Sequence, residues 1–286
     1  MQSDSVLCLN PRGIHRMRYR SWGSSENKRV LICVHGLARN GRDFDDLAQA
    51  LSRDFRVICP DVVGRGESDW LPEGAPYEIG QYVQDMMTLI ARLNVDTVSW
   101  LGTSMGGIIG LTLAALPNSP IRQLVLNDIG ASVPKASLKR ISSYMGERRF
   151  SGLSEVEQYM RINYPALRYL TNDQWRHLAR HAVRELPTGQ LALHYDPAVA
   201  AATARAAAMD QDIDLWPFWH AIRCPRALIW GDQSDVLQAE TVQQMRSHTP
   251  GLEVLTIPGI GHAPSLMESE QITWVQDWLR RHRNVE

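Results

Sequence analysis

The chain has 286 residues, 30 Lys and Arg against 31 Asp and Glu, a formal net charge of −1 and 44% hydrophobic residues. That length suits one large α/β domain with room for an insertion. The charge balance gives no footprint for nucleic acid or an anionic membrane surface, and no apolar run approaches the roughly 20 residues of a membrane span.

Met1 to Asn10 lacks a basic stretch followed by an apolar core, so no secretory signal is expected. Residues from about Ser5 to Trp22 alternate weakly and read as one or two antiparallel edge strands. Arg29 to Val34 is a continuous apolar run, the mark of a strand buried on both faces, and ends in His35-Gly36-Leu37. A helix over about Arg42 to Leu51 and a second buried strand, Phe55 to Cys59, follow. Then comes the loop Gly64-Arg65-Gly66-Glu67-Ser68, in which Asp61 and Ser68 are expected to stabilise the turn. Ile79, Tyr82, Val83, Met86, Met87, Ile90 and Leu93 keep helical spacing up to Asn94.

Thr97 to Leu101 is a short β-prone run, and Ile108 to Leu116 an apolar helix stopped by Pro117. Between them stands Gly102-Thr103-Ser104-Met105-Gly106, a G-x-S-x-G turn from strand to helix. Tight packing there leaves no room for a Cβ at Gly102 or Gly106, and the strained turn lifts the serine hydroxyl above the sheet. Three fixed positions match by chance in about one chain in ten of this length. The motif therefore needs chemical company.

Ile121 to Asp128 is a further strand. Alternating strands and helices imply a mostly parallel sheet of about eight strands with right-handed crossovers. The alternation breaks over residues 134–220, where no buried strand is evident. Two capping-box patterns, Ser154 to Glu157 and Thr171 to Gln174, announce helices, the second carrying one apolar face from Trp175 to Leu186. Ala198 to Met209 adds a third. We read this stretch as a helical cap inserted into a core of residues 1–133 and 221–286.

Strand character returns at Arg226 to Trp230, before Asp232 and Asp235. After a helix near Glu240 to Ser247 and a last strand, Leu252 to Ile257, come Gly261-His262 and an amphipathic helix to about His282. Cys33 and Cys59 lie in apolar runs, and none of Cys8, Cys33, Cys59 and Cys224 forms a C-x-x-C pair. Free buried thiols in a reducing, cytoplasmic setting are expected.

A serine needs a base to take its proton, and that base needs a carboxylate to hold its tautomer. In a parallel sheet such groups collect beyond the carboxyl ends of strands. His262 and Asp235 both lie there, in the order Ser, Asp, His of hydrolases with this turn. His35, Gly64 to Ser68, the elbow and Gly261-His262 together make the chain resemble the α/β-hydrolase superfamily from about residue 14 to 282.

The resemblance implies a triad of Ser104, Asp235 and His262, and an oxyanion hole from the backbone N–H groups of Leu37 and Met105. It assigns support to His35, Gly36, Gly102 and Gly106, and implies no metal or organic cofactor. Motif position favours Asp235 over the alternatives Asp128 and Asp232. A serine at 104, not an aspartate, argues against dehalogenase or epoxide-hydrolase chemistry.

The expected activity is a serine carboxylesterase acting on small or medium esters, lactones included, with a small-molecule substrate and no nucleic-acid or membrane partner. The alternatives are a carbon–carbon bond hydrolase of the ring-cleavage-product type and a non-catalytic ligand receptor. His177, His181 and Glu185 are spaced as ligands could be, but without H-E-x-x-H they read as a solvated helix face. His15, His248 and His282 read as surface residues. Trp175, Trp216, Phe218 and Trp219 are core candidates, some able to wall an apolar pocket.

Overall fold

The computed structural model describes residues 1–282. An N-terminal hairpin, β1 (Gln2–Asn10) and β2 (Gly13–Trp22), leads into β3 (Val30–Val34), a 3₁₀ turn at Gly41–Phe44, α1 (Asp45–Leu51) and β4 (Arg56–Pro60). Then follow α2 (Ile79–Leu93), β5 (Val98–Thr103), α3 (Met105–Ala114) and β6 (Ile121–Asn127). The next stretch holds β7 (Ser132–Val133), α4 (Lys135–Tyr144), β8 (Arg149–Phe150), α5 (Leu153–Asn163), α6 (Asn172–His181), β9 (Val183–Glu185), β10 (Leu191–Leu193), α7 (Pro197–Ala208), β11 (Ile213–Asp214) and α8 (Trp216–Ala221). The chain closes with β12 (Arg226–Gly231), α9 (Ala239–His248), β13 (Glu253–Ile257) and α10 (Ser269–Arg281).

Eight strands form one sheet in the order β1-β2-β4-β3-β5-β6-β12-β13, parallel from β4 to β13 and antiparallel in the hairpin. Every residue of β3 is buried, as expected for a strand covered on both faces. One face packs against α2, α3 and α8, the other against α1 and α10. No helix among the described residues is long and apolar enough to cross a membrane. All four cysteines are free, Cys8, Cys33 and Cys59 being buried, and burial pushes the Cys8 thiol up to about 12.

Two expectations shift in detail. Helix α2 is rolled relative to its apolar stripe: Gln81 and Asp85 face inward while Met87 is exposed. The cause is polar. His15, expected at the surface, is buried and bonds Asp85 at 2.9 Å, and Asn10, Gln81 and Asp85 continue the chain at 2.7 Å each. That network fastens the hairpin to α2, and its hydrogen bonds offset much of the cost of burying these polar groups. Within residues 134–220, α6 stops at His181, so Val183 lies in a strand rather than on the helix. Strands β8, β10 and β9 make a small sheet there, too short to announce itself as a buried run. Thr171 forms its capping box with Gln174, but α5 begins two residues earlier than the Ser154 cap predicts, with Gly152 at the N-cap and Glu155 accepting from Ser151.

Candidate active site

The elbow follows from close packing. A Cβ at Gly102 would strike the backbone of Gly106, and one at Gly106 the carbonyl of Val34. Ser104 itself takes φ 52° and ψ −116°, a strained conformation outside the allowed regions for most side chains. Trp100 Nε1–H donates to the Gly106 carbonyl at 3.0 Å and clamps the turn from below. Ser104 precedes the first turn of α3, whose free N–H groups and dipole favour negative charge beside the hydroxyl.

Ser104 Oγ lies 2.9 Å from His262 Nε2. On the far side of the ring, Nδ1 lies 2.7 Å from Asp128 Oδ2. A carboxylate accepts only, so His262 Nδ1–H donates to Asp128 and Nε2 is left to accept from the serine. This corrects the expected partner: the acid at the imidazole is Asp128, at the carboxyl end of β6, and not Asp235. The Asp128 carboxylate is fully buried and also accepts from Gly231 N–H at 2.9 Å and Ser234 Oγ–H at 2.6 Å. Asp235 points the other way, into a two-point ion pair with Arg140 of α4 at 2.5 and 2.9 Å. Asp232 accepts from the Gly259 N–H at 2.7 Å and shapes the turn after β13.

The loop after β3 is held from two directions. His35 Nε2 accepts from Val62 N–H at 2.9 Å, so Nδ1–H donates to the Gly36 carbonyl at 2.7 Å. Gly36 C=O and Leu37 N–H belong to one peptide unit, so this bond fixes where the Leu37 N–H points. Burial lowers His35 to about 4, which keeps the ring neutral. Arg65 is fully buried; its Nε–H donates to the Leu37 carbonyl at 3.0 Å, Nη1 reaches Val63 O and Tyr82 Oη, and Nη2 touches Met105 Sδ at 3.5 Å. Tyr77 and Tyr82 rings face its guanidinium. Among the described residues no protein acceptor takes the N–H of Leu37 or Met105. Asp61 and Ser68 brace the neighbouring turn through Gly41 N–H, Glu67 N–H and Arg18 N–H.

A cavity opens over Ser104. Leu37, Ile141, Leu167, Leu178 and Met267 give it an apolar lining, and Arg39, Arg140, Tyr144 and Tyr164 give polar heads. Much of that wall comes from residues 134–220. His194, His220 and the tryptophans considered above do not line it. His177 and His181 are not a solvated face: His177 Nε2–H reaches the Arg42 carbonyl at 3.1 Å, the two rings touch edge to face, and burial with Arg42 nearby lowers His181 to about 3. They join α6 to the 3₁₀ turn. Sequence reading missed Asn127, whose amide donates to Thr103 Oγ1 and the Pro264 carbonyl, tying the elbow strand to the histidine loop. It also missed Arg39, Arg140 and Ser234, which no motif marks.

The family model described as the alpha/beta hydrolase fold matches residues 29–268. The chain belongs to the α/β-hydrolase fold family. Within it, a 3-hydroxybutyrate-oligomer hydrolase of Cupriavidus necator is 43% identical over 93% of this chain and 94% of its own length. A 2-(acetamidomethylene)succinate hydrolase of Mesorhizobium japonicum is 26% identical over 82% of this chain and 81% of its own. The crystal structure of an α/β-hydrolase from Novosphingobium aromaticivorans superposes with a TM-score of 0.86 at 33% identity, covering 98% of both chains. This α/β-hydrolase is an enzyme of the hydrolase class.

Proposed function

We propose that this chain is a serine hydrolase of short aliphatic carboxylic esters, oligoesters of small hydroxy acids such as 3-hydroxybutyrate being the best-supported substrates. The observation that carries the proposal is the unbroken hydrogen-bond line from Ser104 through His262 to buried Asp128. Ser104 Oγ attacks the ester carbonyl as His262 Nε2 takes its proton, and the oxyanion sits against the Leu37 and Met105 N–H groups. His262 then gives the proton to the departing alkoxide. Water, deprotonated by the same imidazole, releases the acyl group. Asp128 orients the ring and stabilises its charged form. Residues 134–220 serve as the cap that walls the substrate.

The relative that acts on 3-hydroxybutyrate oligomers supports the substrate class, as does an apolar cavity sized by aliphatic side chains. Purified protein should hydrolyse p-nitrophenyl butyrate and the linear dimer of 3-hydroxybutyric acid, and a fluorophosphonate should label Ser104. Labelling should vanish in His262→Ala. Cleavage of a dienoate diketone with no turnover of either ester would replace this reading by carbon–carbon bond hydrolysis.

A further inference from the structure

The cavity over Ser104 is mostly apolar, yet two arginines reach it from different sides. Arg39 follows the Leu37 loop by two residues and is held by Asp43 and the Tyr164 ring. It stands on the oxyanion side. Arg140 lines the same cavity as His262, and three contacts tie it to the imidazole through Asp128. Asp128 Oδ2 accepts from both His262 and Ser234; Asp235 follows Ser234; and Asp235 grips the Nε and Nη2 edge of Arg140. Ser137 Oγ–H, one turn earlier on α4, donates to the Asp235 carbonyl at 2.8 Å, so the helix is pinned at this point.

The imidazole side is where the leaving alcohol must lie, because His262 Nε2 hands it a proton. The geometry points to Arg140 as the binding residue for a free carboxylate on that leaving alcohol. The assignment rests on the ester-hydrolase reading above and narrows it to esters of short hydroxy acids with an ionised terminus, cleaved one unit at a time from the acid end. In such an ester the carboxylate carbon is three bonds from the ester oxygen, roughly 4 Å at ordinary bond lengths, which suits a cation beside the histidine. Asp235 occupies two of the five guanidinium N–H donors and leaves the others for Tyr144 and a ligand. The Arg140 and Asp235 side chains are 41% and 45% exposed, so their pair is weak enough for a second carboxylate to share the guanidinium. In the step itself the Ser104 Oγ–carbonyl bond forms, the carbonyl–alkoxide bond breaks, and the alkoxide leaves as the protonated hydroxy acid, its carboxylate on Arg140.

The test compares the linear dimer of 3-hydroxybutyric acid with its methyl ester, using p-nitrophenyl butyrate as the reference ester. The wild-type enzyme should favour the free acid by at least about tenfold in kcat/KM. Arg140→Met should lower kcat/KM for the free acid by about tenfold to hundredfold, chiefly through KM, collapsing the acid-to-methyl-ester ratio. Arg140→Lys, which keeps the charge without the fork, should restore part of that ratio, and added salt should shrink it in the wild type. Equal turnover of both dimers by the wild type, or a proportional loss on all three esters in Arg140→Met, would overturn the assignment while leaving ester hydrolysis standing. No turnover of any of the three by the wild type would end both readings.

Discussion

The two sides of the cavity are built in opposite ways. The sheet side is fixed by buried polar groups with several partners each: Asp128 has three donors, His35 bridges two loops, and Arg65 spans Leu37 and Met105. The side made by residues 134–220 meets the core around α4 and α6 through half-exposed contacts, Arg140 with Asp235, His177 with Arg42, and Tyr169 with Ser265, while around α7 it is fastened by the buried Tyr77–Asp196 hydrogen bond. Charge that develops during reaction needs dipoles already in place, and only the first construction supplies them. A wall that selects substrates can be looser, since it has only to fit.

Asp128 and Asp235 put the contrast in its sharpest form, each following a buried parallel strand in the same half of the sheet. Asp128→Asn should lower kcat by about 10⁴ while leaving the fold intact, because the amide disturbs the imidazole tautomer. Asp235→Asn should change kcat less than about tenfold, as expected of an exposed pair. Steady-state kinetics on p-nitrophenyl butyrate measures both. Comparable losses in the two variants would erase the distinction between the sides.

Neither strand end signals which aspartate turns inward, and this shows where sequence reading stops. The elbow is legible because Gly102 and Gly106 answer to steric contacts that no other residue meets. His262 is legible because a glycine-bearing loop after the last strand leaves few alternatives. Asp128 is chosen by tertiary contact: Ser234 and the Gly231 N–H come from β12 and its loop, more than a hundred residues away. The parallel core is readable for the same local reasons as the elbow, β3 being a continuous apolar run. The three strands of the small sheet β8-β10-β9 are not, since two- and three-residue segments carry no period. The polar face of α2 was hidden too, because Gln81 and Asp85 look solvated until Asn10 and His15 of the hairpin arrive.

Proton linkage separates the sides next. His35, fully buried, is lowered to about 4 from an ordinary 6.5, so between those pH values the unfolded chain takes a proton that the folded one refuses. Its contribution is complete above about pH 6.5 and is lost as pH falls toward 4, by about 3 kcal/mol in all. Denaturant unfolding at pH 7 and pH 4.5 should show a smaller difference in His35→Gln than in the wild type. His181, lowered by burial and by Arg42, has the same sign. Solvent reaches it, so His181→Gln should flatten the profile less than His35→Gln does. The reverse ranking would mean that the wall, not the sheet side, governs acid sensitivity.

Arg65 probes the sheet side without touching the triad. Arg65→Met removes the bonds that hold the Leu37 carbonyl and the buried positive charge behind it. The Leu37 and Met105 N–H groups proposed as oxyanion donors lose their fixed aim, and kcat should fall by about tenfold to hundredfold with KM little changed. Circular dichroism confirms that the folded fraction is being assayed. A loss confined to KM would place Arg65 in substrate binding instead.

The smallest effect tests the looser side. Thr171 caps α6, the helix that carries Leu178 to the cavity, through its hydroxyl and the Gln174 side chain. Thr171→Ala should cost about 1 kcal/mol and lower Tm by about 2 °C. Where that cost appears is more informative than its size. If residues 134–220 open as a unit of their own, amide exchange should quicken across α5, α6 and β9 while β3, β5 and β6 keep their protection. The exposed pairs around α4 and α6 favour that outcome, and the buried Tyr77–Asp196 bond should keep α7 with the core. Faster exchange in β5 as well would mean that strain in the wall reaches the serine, and the two sides would then have to be treated as one cooperative body.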